Sequence, residues 1–242
     1  MKLHSMIRLA RFGLALPALA MATEDTGTPG PGGWENNLGI SAERQHGSWR
    51  YGVPEMELNY GAGEHMQLVL GMPYVRVTEA DGARNSGFGN ITTGVKWRFW
   101  EDGETGAALA LFPRLAWNSS GATASRGLDS RGYSLLLPVI AGFSRGDTGW
   151  YAEFGRNIVQ RGPHEWQAGV KVLHQCLPQL ECRAELEYTR VPRDGGQTTA
   201  RLGGKWRLSE NLIFNFSAGR DIAGGREGRR GLVTYAGVQW LR

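Results

Sequence analysis

Glu55 and Glu57, and again Glu185 and Glu187, stand two residues apart in the runs PEMELNYG and RAELEYT. On an extended strand that spacing puts both carboxylates of a pair on one face, about 7 Å apart between Cα atoms. Paired acids at such separations can do general acid and base work. The surrounding runs put Lys96, Arg98, Arg114, Glu153, Lys171, Arg183, Arg201, Lys205 and Arg207 on faces that also carry charge. Each carboxylate therefore has cations to balance it, and mutual charge balance is the stronger reading of the whole set.

No other catalytic arrangement emerges. The histidines, at positions 4, 46, 65, 164 and 174, are scattered, and none opens a His-Glu-x-x-His zinc motif. Ser119, Ser120 and Ser125 lie in a Gly- and Ser-rich stretch without a base at motif spacing, and they read as turn residues. Gly61-x-Gly63 and Gly87-Phe88-Gly89 open no helix after a Rossmann strand. The sequence thus names no catalytic residue, no metal site and no cofactor. A triad assembled from distant strands stays open as an alternative.

Cys176 and Cys182 in QCLPQLEC are the two cysteines. In an oxidising compartment a disulfide closing this turn is the leading reading, with two unpaired residues as the other. A structural zinc would need ligands that are not there.

The elements that position these groups follow from composition and period. The chain has 242 residues, 41% apolar, with 36 glycines and with 9 Trp, 8 Phe and 7 Tyr. No internal run of eighteen apolar residues exists, so a helical membrane protein is excluded, and glycine with aromatics favours short strands and tight turns. The net charge of +4 comes mostly from arginine. No basic run carries interleaved stacking aromatics, so nucleic acid is not an expected partner.

Residues 1 to 22 read as a secretory signal. Lys2, Arg8 and Arg11 precede the apolar stretch Phe12 to Leu19, and Ala20-Met21-Ala22 supplies a small-x-small cleavage site near Ala22. Residues 23 to 32 then form a Gly- and Pro-rich segment, and residues 33 to 242 a single domain.

That domain alternates with period two. Met56, Leu58 and Tyr60 oppose Glu55, Glu57 and Asn59; Met66, Leu68, Leu70, Met72 and Tyr74 share one face; Ile91, Thr93, Val95, Trp97 and Phe99 oppose Thr92, Gly94, Lys96 and Arg98. Ala184, Leu186 and Tyr188 oppose Arg183, Glu185 and Glu187, while Ala200, Leu202, Trp206 and Leu208 oppose Arg201, Gly203, Lys205 and Arg207. About twelve strands of roughly ten residues are predicted in this way. Two of them, in AALALFPRLAW and YSLLLPVIAGF, are more continuously apolar and also suit a buried soluble core.

Connections such as GAGEH, EDGETG, SRGDTG and SEN are short, whereas the stretches near 76 to 89, 118 to 132 and 221 to 231 are longer. The fold class is all-β: an antiparallel up-and-down transmembrane barrel with apolar residues outward, charges inward, short turns facing the periplasm and aromatics such as Trp34, Tyr74, Trp97, Trp150, Trp166, Trp206 and Trp240 at strand ends. A soluble barrel with the opposite facing is the competing architecture.

The stretches TEDTGTPGPGGWENNLG, PEMELNYGAGEHMQLVLGMPYV and GFGNITTGVKWRFW resemble bacterial outer-membrane proteins associated with the phenol meta-degradation pathway. Gly27-Thr28-Pro29-Gly30-Pro31-Gly32 leading into Trp34-Glu35 is the most specific part of that likeness. The resemblance implies a transport barrel of the Gram-negative outer membrane, with hydrophobic or aromatic compounds among its solutes.

The expected function is thus a pore or transporter for small solutes; a lipid-hydrolase type of barrel enzyme or a non-conducting structural barrel is the alternative. Expected partners are outer-membrane lipid, lipopolysaccharide, the barrel-assembly machinery and the solute itself. Trp240 resembles the terminal aromatic of an assembly signal, although Leu241 and Arg242 follow it. Arginines at 44, 50, 126, 131, 193, 226, 229 and 230 gather in the connections expected outside, where lipopolysaccharide phosphates would meet them, though solvated loops give the same pattern. Residues 23 to 33 either fold back into the lumen and narrow it, with Glu24 and Asp25 meeting the inward arginines, or form a disordered periplasmic leader.

Overall fold

In the computed structural model, which describes residues 23 to 118, 120 to 192, 195 to 224 and 229 to 242, the alternating runs pair edge to edge until the sheet meets itself. The expected signal at 1 to 22, Arg193 and Arg226 lie outside the described residues. The segments are β1 Trp34–Gln45, β2 Ser48–Gly61, β3 Met66–Thr78, β4 Arg84–Phe88, β5 Asn90–Asp102, β6 Ala107–Leu111, β7 Arg114–Asn118, α1 Gly121–Ser125, β8 Tyr133–Arg145, β9 Thr148–Val159, β10 Glu165–Leu177, β11 Leu180–Val191, β12 Gly195–Arg207, β13 Leu212–Gly224 and β14 Arg230–Leu241.

They make twelve staves of a closed antiparallel barrel. β4 and β5 form one stave: β3 pairs with β5 from Met66↔Trp97 to Gly71↔Thr92 and with β4 from Tyr74↔Phe88 to Thr78↔Arg84. Gly89 makes the step between them, its N–H donating to the Pro73 carbonyl at 2.9 Å. β6 and β7 form another stave, broken at Phe112-Pro113 because proline has no N–H for the ladder. Closure comes from β1 against β14, from Glu35↔Leu241 to Gln45↔Arg230, and closure leaves no exposed edge.

Membrane-facing and lumenal positions separate as the period predicts. Leu58, Tyr60, Met66, Leu68, Leu70, Trp97, Phe99, Leu186, Tyr188, Leu202 and Trp206 are exposed on the outside, and Glu55, Asn59, Gln67, Lys96, Arg183 and Glu185 are buried inside. An exposed apolar belt around a polar interior suits lipid and is the reverse of a soluble barrel. Aromatic pairs mark its two edges: Trp34 with Tyr60 (4.8 Å between ring centroids) and Phe143 with Trp150 (4.7 Å) at one, Tyr74 with Phe88 (5.5 Å) and Phe154 with Trp166 (5.3 Å) at the other.

AALALFPRLAW and YSLLLPVIAGF are barrel staves. Their inward residues are apolar too: Ala110, Phe112 and Ile140 join Val69 in a buried cluster on one wall of the lumen. That inner cluster is why the alternation fades there.

At one rim, here the turn rim, the connections are 62 to 65, 103 to 106, 146 to 147, 178 to 179 and 208 to 211. Cys176 and Cys182 are bonded across the β10–β11 turn of this rim. The opposite, loop rim departs from expectation. Among the described residues the one long connection is 120 to 132; β3 runs on to Thr78, β4 starts at Arg84 and β13 continues to Gly224. Apolar alternation stops where a strand leaves lipid, but backbone pairing does not, so periodicity under-reads strand length. The β1–β2 connection at this rim is a two-residue turn with φ of 49° at His46 and 84° at Gly47, both positive as a type I′ turn requires.

The long connection folds over the mouth. Ser120 caps α1 through its Oγ, which accepts from the Ala122 N–H at 3.1 Å, and Leu128 is buried with Val75 and Val77. Arg50 reaches Asp129 at 3.6 Å. Arg50 and Arg230, expected in exposed connections, therefore point inward; Arg230 pairs with Asp221 (3.3 Å) and Glu43 (3.8 Å).

Candidate functional site

The chain enters the lumen from the turn rim, where both ends of the barrel wall meet: Trp34 and Arg242 exchange backbone hydrogen bonds of 2.8 and 3.0 Å. Just before Trp34 the backbone reverses through Gly30 (φ 80°) and Gly32 (φ 72°), which only glycine adopts freely. The Gly32 N–H donates to the Gly61 carbonyl at 2.8 Å and the Gly61 N–H to the Gly33 carbonyl at 2.9 Å. A Cβ on Gly61 would lie 1.6 Å from the Gly30 carbonyl oxygen. Gly61→Val is accordingly expected to undock residues 23 to 33 while leaving β2 paired. Hydrogen exchange of those amides should quicken by about tenfold or more, the factor supplied by ~1.4 kcal/mol of lost docking; unchanged exchange would refute this anchoring.

Inside, Thr23 is fully buried and its N–H meets Glu185 Oε1. A Cβ on Gly169 would lie 2.1 Å from Thr23 Oγ1, so a glycine in β10 makes the recess for this residue. The Glu24 N–H donates to Glu153 Oε2 at 2.8 Å. The Glu24 carboxylate accepts from Lys96 Nζ at 3.1 Å and lies 3.5 Å from Arg114, which also donates to Glu153 at 3.1 Å. Asp25 bridges Lys171 at 3.6 Å and Lys96 at 3.9 Å. Burial opposes ionisation of both acids, but the charges of Lys96, Arg114 and Lys171 around Glu24, and of Lys171 and Lys96 around Asp25, outweigh it and hold both carboxyls below their ordinary range. Of the two readings of this segment, the structure shows the folded-back one, with lysines as its main partners.

Beside the segment lies a cavity of about 280 Å³. Glu57, Lys96, Arg183, Glu185, Arg201 and Lys205 line it. Glu55, Arg114, Glu153, Lys171 and Glu187 also point inward but are engaged around it: Ser41 donates to Glu55, and Arg201 holds Glu187 at 3.3 Å and Glu185 at 4.0 Å. Arg98 and Arg207 do not reach this lumen. Arg98 sits at the turn rim on Glu101 (2.8 Å) and the Glu64 carbonyl (3.1 Å), and Arg207 is exposed at the end of β12. Alternation assigns a face but not a height, and both residues have the right face at the wrong height.

Sequence reasoning passed over Asn37, Gln67, Asn215, Tyr235 and Gln239, which also line the cavity, as does Asn59 on the face already assigned. Extending the same period through β1 and β14 would have found most of them. Phe112, which carries Lys96 at 5.0 Å and Arg114 at 4.6 Å over its ring, was hidden by its place in an apolar run. Among the described residues no group of His, Cys, Asp and Glu is arranged to hold a metal ion.

A lipid-facing closed barrel around a charged, partly filled lumen defines a membrane-spanning β-barrel. Its fold is similar to an outer membrane channel from Pseudomonas putida F1 (TM-score 0.71, 11% identity, 90% of this chain and 98% of that one). It is also similar to the NanC porin (0.63, 7%, 85% and 98%) and the KdgM porin (0.58, 11%, 84% and 98%). No protein-family model and no curated protein matches the sequence. At these identities the likeness is one of fold.

Proposed function

We propose that the protein is an outer-membrane pore for small solutes that carry both an apolar body and a charged group. The observation that carries this reading is the two-sided lumen. Charges of both signs from β5, β7 and β9 to β12 face the cavity region, while Val69, Ala110, Phe112 and Ile140 form an apolar wall nearby. The resemblance to barrels associated with phenol degradation supports an aromatic or hydrophobic solute, and the channel fold supports passage over chemistry. In this reading a signal at residues 1 to 22 directs export, the turn rim faces the periplasm, the assembly machinery inserts the barrel, and exposed Arg131 and Arg229 meet lipopolysaccharide.

Single-channel recording and liposome swelling on the purified, folded barrel test the reading. Discrete conductance and uptake of small solutes are expected. A folded barrel showing neither, yet cleaving a lipid or peptide, would overturn it.

A further inference from the structure

Lys96, Arg114 and Lys171 come from two sides of the barrel, β5 with its neighbour β7 on one and β10 on the other, and they converge on Glu24 and Asp25. Their side chains are only 4%, 5% and 1% exposed. Among the described residues the wall supplies one close carboxylate to this group, Glu153 on Arg114, with Glu185 acting on Lys171 from further off. The other close partners of the three cations are two carboxylates from a segment that is not part of the wall. Buried cations left without partners are costly, so whatever keeps water from this recess is favoured when it carries negative charge.

The segment fills the place imperfectly. Lys171 Nζ, buried and aimed into the recess, has no hydrogen-bond acceptor among the described residues, and its ion pair with Asp25 spans 3.6 Å. Asp25 Oδ1 is instead turned to accept from the Gly27 N–H at 3.0 Å. The cavity of about 280 Å³ borders Glu24, Asp25, Lys96 and Phe112, near the lower end of the range that accommodates small organic ligands. A free molecule could thus replace the two side chains without a change in the barrel wall.

We propose that Lys96, Arg114 and Lys171 form a binding site for a small dicarboxylate, and that Glu24 and Asp25 occupy it as a tethered stand-in. The proposal rests on the reading of the lumen as a solute pathway. It adds the class of solute that the lumen holds: two carboxylates on a short spacer, with Lys171 donating to one, Lys96 and Arg114 to the other, and the spacer beside the Phe112 wall.

The test is calorimetric titration of succinate into the full-length processed protein in detergent. A Glu24→Gln/Asp25→Asn variant should bind succinate at least tenfold more tightly than the parent, because the two tethered charges that compete for the cations are gone. Adding Lys171→Met should reverse most of that gain, and acetate should bind at least tenfold more weakly than succinate. No gain in a double variant with native heat-dependent gel mobility would overturn the site, as would acetate or chloride binding equally well. Should the double variant misfold, Asp25→Asn alone carries the test, with a severalfold gain expected. Conductance of the same preparations separates the two readings: binding without conduction sinks the pore and keeps the site, and conduction without binding sinks the site and keeps the pore.

Discussion

Deleting residues 23 to 31, with residues 1 to 22 kept for export, is expected to raise single-channel conductance severalfold while the barrel folds as before. The segment contributes no strand to the wall; its contacts are the turn at Gly61 and the side chains of the lumen. Removing it empties the space between β5, β7 and β10 at the level of Lys96, Arg114 and Lys171, where Glu24 and Asp25 now lie. Selectivity should move in a defined direction as well. The deletion takes away two lumenal carboxylates and leaves three wall cations facing Glu153, so the reversal potential under a salt gradient should shift toward anions, most visibly at low ionic strength. Heat-dependent gel mobility monitors folding. A well-folded deletion with the conductance and selectivity of the parent would show that solutes pass the segment freely.

Much of this arrangement was legible in the sequence, because a membrane barrel repeats one simple rule. Leu202 opposite Arg201 and Leu186 opposite Glu185 separate two faces, strand length, strand-end aromatics and the export signal point the apolar one toward lipid, and the structure keeps those faces. What the rule cannot carry is height along the barrel, which is why Arg98 and Arg207 were grouped with residues that reach the cavity. It also reads an apolar inward face as noise, which concealed Phe112 and Ile140. The position of Glu24 and Asp25 depends on contacts with β9, β10 and β11, more than a hundred residues away. The local signal, glycines and prolines before Trp34, says only that the chain can bend.

The facing itself can be tested on one strand. Leu202 lies near the middle of β12, opposite Ala184 and Ala218 on its neighbours, and is 69% exposed on the outer surface. Placing a guanidinium there sets a permanent charge against hydrocarbon, far from the girdle residue Trp206, and Leu202→Arg is expected to cost about 2–4 kcal/mol of folding free energy in bilayers. Lys205, on the opposite face of the same strand, borders the cavity and lies 4.0 Å from Glu181 with a quarter of its side chain exposed. A half-solvated pair of this kind contributes roughly 0–1 kcal/mol, so Lys205→Leu should unfold at nearly the parental urea concentration and change permeation instead. Reversible unfolding in lipid vesicles reads both values. Equal losses for the two variants would mean that the outer and inner faces of β12 do not meet different solvents, and the membrane-spanning assignment of the barrel would fall with them.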